Sequence, residues 1–266
     1  MDIKHITSKN NPLIKEVAKL SDKKYREEKK QFAFEGRKLL QEAIKSRVAL
    51  EHIFVTEDAL KYIENYDIPC QINLVSDEVY HKISFEKSPE GIFCVSKTLD
   101  KFHNIYIIYR REDFVVGRIF LLDGIRDPGN LGTILRTASA FGCETVILSE
   151  DCADIYNSKT VRASMGAVFR QKTVRVRDMA STVRELTAMG KTVYCAALDS
   201  SSVSVFDITP SEDVCFVVGN EANGIRREII DASSGTVIIP MEQDTESLNA
   251  ASASTILLYE QYKLTK

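Results

Sequence analysis

The spacing of apolar and polar residues changes its period along the first hundred positions. In "NPLIKEVAKL" and "GRKLLQEAI" the apolar residues recur at helical spacing, which predicts helices with one buried face. Short runs rich in β-branched and aromatic residues predict strands, namely "EHIFVT", "INLVS" and "GIFCVS". This mixture predicts a small α/β domain over residues 1–98.

From Arg118 onward the strand pattern is different, because whole runs are apolar. These runs are "RIFLLD", "TVILS", "TVYCAAL", "VCFVVGN" and "GTVIIPM", and segments with helical period separate them. Strands that are buried on both faces and alternate with helices are typical of a parallel sheet. We therefore predict a doubly wound α/β domain over residues 118–266, joined to the first domain by a linker at 99–117, where neither period is clear.

The composition is that of an ordinary globular protein. The 266 residues are 44% hydrophobic and 27% charged, and no run reaches the roughly 18 apolar residues that a membrane span needs. The N-terminal segment carries charges throughout and lacks the apolar core of a signal peptide, so we predict a cytoplasmic protein with no membrane partner. The cysteines are scattered and form no zinc-ligand pattern, which indicates buried thiols and no metal site.

Charge is segregated along the first domain although the net charge of the chain is only -3. Residues 1–50 hold 13 Lys and Arg against 7 Asp and Glu, whereas residues 51–100 hold 4 against 10. The basic side chains could form a face that attracts phosphates. They could equally form a solvated helix face with charge pairs at i, i+4, because Glu27 and Glu28 are interleaved. The candidate RNA-binding residues here are Lys23, Lys24, Arg26, Lys29, Lys30 and Arg37.

Ligands of a parallel α/β sheet bind at the loops that follow the carboxyl ends of its strands. The loops to consider are "RDPGNLGTILRTASAFG", "DIYNSKTVRASMGAVFR", "GNEANGI" and "PMEQDTESLNAASAS". The first places Asn130 at a helix start with Arg136 further along the same helix. The second adds Arg162, a further candidate RNA contact, close to a glycine. The glycines of the third permit close approach of the backbone to a ligand.

None of these loops carries a dinucleotide, P-loop or serine-hydrolase signature. The histidines all precede the second domain, so chemistry there proceeds without histidine unless the first domain reaches across. Group transfer with a good leaving group fits this limitation, because such a site mainly positions and stabilises the reacting groups.

Three segments of the second domain resemble, in the same order, the motifs of the SpoU family. They are "DPGNLGTILRTASAFG", "VGNEANGI" and "IPMEQDTESLNAASASTILLYE". Members of this family are RNA ribose 2′-O-methyltransferases of the trefoil-knot, or SPOUT, superfamily. The resemblance covers most of residues 118–260. The residues upstream of it resemble the substrate-binding domain that precedes the catalytic domain in the ribosomal-RNA branch.

The resemblance implies a deep trefoil knot in which the C-terminal chain passes through a loop and its turns bind S-adenosyl-L-methionine. It also implies a homodimer and 23S rRNA as the substrate. The implied cofactor-binding residues are Ala197, Gly219, Asn220, Ile239, Met241 and Leu248. Without the motifs, Ile239, Met241 and Leu248 would be interpreted as plain core residues.

The resemblance also implies a catalytic centre made of Asn130, Arg136, Glu221, Ser247 and Asn249. Arg136 would hold the target phosphate and polarise the ribose hydroxyl, because a guanidinium is a poor base at neutral pH. A deprotonated Arg136 acting as general base stays open. Asn130 and Ser247 would bind the ribose or order the loop, and the remaining two would brace the knot. Helix capping and turn formation are the structural alternatives for Asn130, Ser247 and Asn249.

The third motif departs from the family at Gln243, where relatives often have glycine, so a larger side chain stands in the cofactor loop. The RNA class is also open, since the same motifs serve enzymes that modify transfer RNA. Two further alternatives are a catalytically silent RNA-binding or ribosome-assembly factor with the same fold and a nucleotide-dependent α/β enzyme.

Overall fold

The computed structural model describes residues 3–99, 102–104, 117–209, 211–220, 222–242 and 247–264. Its strands are β1 (Ile3–Ile6), β2 (Gln31–Glu35), β3 (Leu50–Val55), β4 (Gln71–Val75), β5 (Ile92–Lys97), β6 (Phe102–Asn104), β7 (Ile119–Asp123), β8 (Thr145–Ser149), β9 (Lys172–Val176), β10 (Thr192–Ala196), β11 (Val203–Ser204), β12 (Val214–Gly219) and β13 (Gly235–Ile238). Its α-helices are α1 (Pro12–Ala18), α2 (Lys23–Lys29), α3 (Arg37–Lys45), α4 (Glu57–Leu60), α5 (Asp77–Ile83), α6 (Pro128–Ala140), α7 (Ser158–Ala163), α8 (Met179–Ala188), α9 (Arg227–Ala232) and α10 (Ala250–Lys263).

The described residues form two compact units. The first unit contains those of 1–99 together with 154–169, and the second contains those of 100–153 and 170–266. The domain boundaries expected from the sequence stay a prediction, and most of the expected linker lies outside the described residues. The predicted domains are continuous in sequence, so they do not place residues 154–169 with the first unit.

The first unit is built on a mixed sheet with the strand order β1-β4-β3-β5-β2. Strands β1, β4 and β3 are parallel, and β5 runs antiparallel to both β3 and β2. One face of the sheet packs against α1 and α5, with Ile14, Val79 and Tyr80 in the buried cluster. The carboxyl ends of β2, β3 and β4 therefore lie at the same edge of this sheet.

Alternating side chains of β2 explain how residues 154–169 join the first unit. Ala33 points into the cluster beneath α1 and α5, so Phe32 and Phe34 face the other side of the strand. There the ring of Phe32 lies 4.6 Å from Tyr156 and the ring of Phe34 lies 5.0 Å from Phe169, measured between centroids. The segment covers aromatic surface that β2 would otherwise expose, and burial of such rings is strongly stabilising.

The second unit contains a parallel sheet with the strand order β11-β13-β10-β12-β7-β8-β9-β6. Every residue of β7 and β8 is buried, which confirms the prediction that these apolar runs are covered on both faces. Helices α8 and α9 pack on one face through a cluster that includes Ile119, Leu121 and Ile229. The α/β class with a small preceding domain, predicted from the pattern, is confirmed.

Helix α10 is fixed beside α6 and against the sheet. The buried side chain of Gln261 donates hydrogen bonds from its Nε2 to the carbonyl oxygens of Ile119 and Val214, at 3.0 and 2.7 Å. A buried amide with satisfied donors fixes the helix in one register. The segment that precedes this helix is thereby held close to the ends of the strands.

The helix lengths and the cysteines bear on the predictions made from composition. No helix in the described part of the chain combines the length and apolar character needed to cross a bilayer. Five of the cysteines are buried and Cys70 is half-buried, and none of the six is in a disulfide. Burial raises the pKa of Cys195 to about 11 and that of Cys215 to about 12, so both thiols stay protonated at neutral pH and are poor nucleophiles.

Candidate functional site

A pocket of about 420 Å³ lies in the second unit, where β10, β12 and β13 end. All six residues expected to bind a cofactor line it, together with Ser247 from the expected catalytic set: Ala197, Gly219, Asn220, Ile239, Met241, Ser247 and Leu248. The loops that follow the three strands supply most of the wall, and the chain entering α10 closes it. This is the position that parallel α/β sheets use for ligands.

The wall is mostly apolar, and none of the described residues that line the pocket is ionisable. Side chains such as Ile225, Val237 and Leu248 suit a flat, largely apolar group, while main-chain groups and Asn223 can fix its orientation. The described part of this wall can bind and position a ligand but supplies no acid or base. Glu221, expected at the catalytic centre, and Gln243, where the motif departs from the family, lie outside the described residues.

The loop after β12 folds back tightly on itself. Asn220 and Gly224 exchange two backbone hydrogen bonds of 3.2 and 2.8 Å, and Gly224 has a φ of +65° that favours glycine. A Cβ on Gly219 would meet backbone atoms of Gly224 at 2.4 Å. The side chain of Asn220 also donates to the carbonyl of Gly124 at 3.0 Å. Close backbone approach, and not only pocket lining, therefore requires glycine at position 219.

An ion pair between buried Asp123 and the exposed side chain of Arg226 holds the far end of this loop, and sequence reasoning missed it. Asp123 is only 2% exposed and accepts hydrogen bonds from the backbone N and the Nε of Arg226, at 3.0 and 2.9 Å, and a further one from its Nη2. The paired Asp123 keeps the pKa of Arg226 raised. The sequence did contain a signal for this pair, because Asp123 ends an apolar strand and a buried carboxylate needs a partner of opposite charge.

Asp151 extends this network to the loop after β8. Its partial burial raises its pKa, but the hydrogen bond from Ser149 Oγ and the charge of Arg226 outweigh burial, so the pKa lies below its ordinary value. Three strand ends are thus joined by charged groups next to the pocket, which keeps its wall in one conformation.

The two asparagines expected at the catalytic centre lie within hydrogen-bond distance of one another. Asn249 Nδ2 donates to Asn130 Oδ1 at 3.2 Å, and Asn249 Oδ1 caps α10 by accepting from the backbone N of Ala251 at 2.9 Å. Asp127, not Asn130, caps α6, because its Oδ1 accepts from the backbone N of Asn130 at 2.7 Å. The helix-capping interpretation therefore applies to Asn249 and not to Asn130.

Arg136 lies on the exposed side of α6 and does not line the pocket. No ion pair joins it to another described residue. An exposed guanidinium without a carboxylate partner is free to meet an anion. Its role at a catalytic centre stays a proposal.

The basic residues expected to contact RNA lie in the first unit, and they differ in exposure. Lys23, Lys24, Lys29, Lys30, Arg37 and Arg162 are exposed. Arg26 is buried, at 5% exposure, and its guanidinium donates to the carbonyls of Leu20 and Ser21 and to the carboxylate of Asp154. All of these bonds are internal to the fold, so we do not propose Arg26 as an RNA contact. The helical spacing predicted an exposed position for Arg26, because the spacing within a helix does not show that Asp154 packs against it.

The basic side chains on α2 form only weak contacts with acidic neighbours. Lys23 lies 3.8 Å from Glu27 and Lys29 lies 3.8 Å from Glu28, with all four side chains largely exposed. Exposed pairs of this kind contribute roughly 0–1 kcal/mol and are easily exchanged for another anion. Arg162 forms an ion pair with Glu86 inside the first unit.

Both parts of the chain are similar to known protein families. Residues 117–259 match the model described as the SpoU rRNA Methylase family, and residues 11–94 match the model of an MRM3-like substrate binding domain. The 23S rRNA (guanosine(2553)-2′-O)-methyltransferase RlmP of Bacillus subtilis is 32% identical over 97% of this chain and 98% of its own length. The 23S rRNA (uridine(2479)-2′-O)-methyltransferase of Streptomyces viridochromogenes is 34% identical over 66% of this chain and 60% of its own length.

A solved structure is similar over the same extent. The AdoMet-bound rRNA methyltransferase from Sinorhizobium meliloti has a TM-score of 0.82 and 28% sequence identity, and the alignment covers 98% of each chain. The likeness therefore includes both the small N-terminal α/β part and the parallel-sheet part of the chain.

Proposed function

Because the chain belongs to the SpoU rRNA methylase family, we propose that it methylates a ribose 2′-hydroxyl of 23S rRNA with S-adenosylmethionine as donor. Membership confirms four predictions made from the motifs: the family, the knotted α/β fold class, the enzyme class RNA (ribose-2′-O)-methyltransferase, and the cofactor. The choice of 23S rRNA is supported by the names of the relatives from B. subtilis and S. viridochromogenes.

The observation that carries the proposal is the pocket at the ends of β10, β12 and β13, whose described lining residues are uncharged and mostly apolar. Its apolar wall fits an adenosine group, and the main chain of the loop after β12 lies beside that group. We assign Ile239, Met241 and Leu248 to packing against the cofactor. Ala197 and Asn220 complete the wall, and the side chain of Asn220 mainly holds the loop.

The catalytic roles follow from the reaction. When bound, S-adenosylmethionine supplies an electrophilic methyl group on a sulfonium centre. The ribose hydroxyl must lose a proton as its oxygen is methylated, so a nearby positive charge lowers the cost of the developing negative charge. We assign this role to Arg136, which would also hold the adjacent phosphate. Ser247 and Asn130 would hydrogen-bond the ribose, with Asn249 bracing Asn130 at 3.2 Å. Glu221 keeps the bracing role implied by the motif.

The exposed cations of the first unit suit the RNA backbone. We propose that Lys23, Lys24, Lys29, Lys30 and Arg162 contact phosphates, because exposed Lys and Arg provide most of the sequence-independent affinity for nucleic acid, and that Arg37 also contacts the RNA. A ribosomal substrate also supports the cytoplasmic location proposed for this protein. Transfer RNA is a second candidate substrate, since the catalytic motifs do not distinguish it.

Calorimetric titration and methyl transfer together test the proposed function. We expect the purified protein to bind S-adenosylmethionine and S-adenosylhomocysteine but neither NAD nor ATP. We expect it to transfer labelled methyl groups to 23S rRNA that lacks the mark and not to bulk transfer RNA. Binding of NAD or ATP alone would favour a nucleotide-dependent enzyme. Absence of both cofactor binding and transfer, with RNA binding retained, would identify a catalytically silent RNA-binding or ribosome-assembly factor.

We further propose a homodimer that forms through α6 and α10. The exposed side of α10 carries Ser252 and Tyr259, which is 47% exposed, and Lys263 one turn later, whose Nζ lies 5.8 Å from the centre of the Tyr259 ring. An exposed aromatic ring on a helix face is typical of a subunit interface. Light scattering at micromolar concentration should give twice the chain mass of 29.9 kDa. A monomer mass under these conditions would contradict the dimer.

A further inference from the structure

A second cavity, of about 620 Å³, lies entirely within the first unit. It opens at the sheet edge where three strands end: Arg37 follows β2, Thr56 and Asp58 follow β3, and Asp77 follows β4. Crevices at the carboxyl ends of strands are the preferred ligand positions of α/β domains. The methyl-transfer chemistry assigns no role to this cavity.

A stacked pair of side chains forms one wall. The guanidinium carbon of Arg37 lies 3.7 Å from the centre of the Tyr62 ring, and Lys61 lies 5.2 Å from the same centre. Tyr62 is 38% exposed although it is a large aromatic residue. Exposed aromatic rings and guanidinium planes are the surfaces on which proteins stack unpaired RNA bases.

Arg37 is held in place by Glu90. Its backbone N donates to Glu90 Oε2 at 2.8 Å, and its side-chain Nε lies 3.8 Å from the same oxygen. The first amide of α3 is therefore already occupied by a carboxylate. Glu90 therefore orients the plane of the Arg37 guanidinium. It also occupies the backbone N–H of Arg37, which is the donor that a phosphate at the start of α3 would use.

The floor of the cavity is buried and hydrogen-bonded. Tyr80, at 1% exposure, lines the cavity, and its hydroxyl donates to Glu35 Oε2 at 3.2 Å. The other donors to this carboxylate are Ser84 Oγ and the backbone N of Phe85, each at 2.7 Å. A preformed floor of this kind lowers the entropy cost of binding a flat ligand.

The charges of the lining indicate which ligand fits. Asp58, Asp77 and Glu90 face the cavity together with the cations Arg37 and Lys61. Ionised carboxylates only accept hydrogen bonds, so they suit the amino groups of adenine, cytosine and guanine and disfavour a phosphate. Uracil has no amino group and offers a single N–H.

We propose that this cavity binds one unpaired, amino-bearing base of the RNA substrate, stacked on the Arg37–Tyr62 pair. The inference rests on the proposed function, because it takes the substrate to be RNA. It adds a base-reading position to a unit whose other assigned contacts are to phosphates. It also predicts that the enzyme requires a single-stranded nucleotide in its substrate.

Fluorescence anisotropy with labelled ten-nucleotide RNAs of adenylate, cytidylate or uridylate tests the base site directly. Tyr62→Ala should weaken binding of the first two by about tenfold or more, the loss expected for one stacked base. Tyr62→Phe should bind like the wild type because it retains the ring. The matched control is Tyr66→Ala, a half-buried tyrosine in the same segment that does not line the cavity.

Two further arms separate a base contact from a phosphate contact. The dependence of affinity on salt should be the same in Tyr62→Ala and the wild type, whereas Lys24→Ala should reduce its slope. Asp77→Asn should reduce the preference for adenylate and cytidylate over uridylate. Equal affinities for Tyr62→Ala and the wild type, or no saturable binding of any oligomer by the wild type, would overturn the base site.

Failure of this inference is distinguishable from failure of the proposed function. Tyr62→Ala should retain the wild-type affinity for S-adenosylmethionine and the wild-type kcat on 23S rRNA, and only KM for the RNA should rise. A wild type that binds RNA through Tyr62 but transfers no methyl group would refute the function and leave the base site standing. Unchanged thermal unfolding of each variant establishes that the effects are local.

Discussion

Replacing Arg136 with alanine should lower methyl transfer to 23S rRNA by about 100- to 1,000-fold, the loss expected when a group that stabilises developing charge is removed. Affinity for S-adenosylmethionine should not change, because Arg136 does not line the pocket. Stability should also be preserved, since the side chain is exposed on α6 and forms no ion pair with the other described residues. Single-turnover methylation with saturating cofactor measures the effect.

Two further variants test why the rate falls in Arg136→Ala. Arg136→Lys retains the charge but loses the two-pronged guanidinium, so it should recover part of the rate if the role is electrostatic. Arg184→Ala removes an arginine that is equally exposed, on α8, and should behave like the wild type. A pH–rate profile in which the loss of rate toward low pH moves to lower pH in Arg136→Lys would instead favour deprotonated Arg136 as the general base, because lysine has the lower ordinary pKa. Full activity in Arg136→Ala would remove the residue from the catalytic centre.

The hydrophobic pattern predicted the strands of the second unit well, because strands that are buried on both faces appear in the sequence as continuous apolar runs. The spans of β7, β8 and β12 fall within those runs. The pocket followed from motif resemblance and not from periodicity. Ile239 and Leu248 look like core residues in the sequence, and only the folded positions of Ile239 after β13 and of Leu248 before α10 make them part of a pocket wall.

Contacts between residues distant in the chain could not be predicted. Arg26 looked like a member of a basic helix face, but Asp154, more than a hundred positions away, makes it an internal residue. The packing of Phe32 and Phe34 against residues 154–169 could not be predicted for the same reason, because the contacting residues are far apart in the sequence. Periodicity reports which face of an element is buried but not which segment covers it.

The charged pair of Asp123 and Arg226 shows how such a contact becomes part of a site. The pair joins the end of β7 to the loop after β12, and Asn220 joins the same loop to Gly124. The loop that lines the pocket is therefore fixed at both ends. Its shape depends on these bonds and on the absence of a side chain at position 219.

Replacing Gly219 with alanine should accordingly weaken S-adenosylmethionine binding by about 10- to 100-fold and lower the free energy of unfolding by about 1–3 kcal/mol. The new Cβ would lie 2.4 Å from the carbonyl carbon and oxygen of Gly224 and 2.6 Å from the backbone N of Ile225. These are backbone atoms, so the loop must move and the bonds from Asn220 and Arg226 must lengthen. Calorimetric titration and urea unfolding measure the two effects.

Gly235→Ala is the matched control. Its Cβ would lie 3.6 Å from the ring of Tyr194, an ordinary contact, and Gly235 does not need a positive φ. This variant lies on β13 but does not line the pocket, so it should bind S-adenosylmethionine like the wild type. If Gly219→Ala also bound the cofactor with wild-type affinity, the loop after β12 would not form the cofactor site. If it lost stability without losing affinity, the loop would be a structural element and the pocket wall would come from β10, β13 and α10 alone.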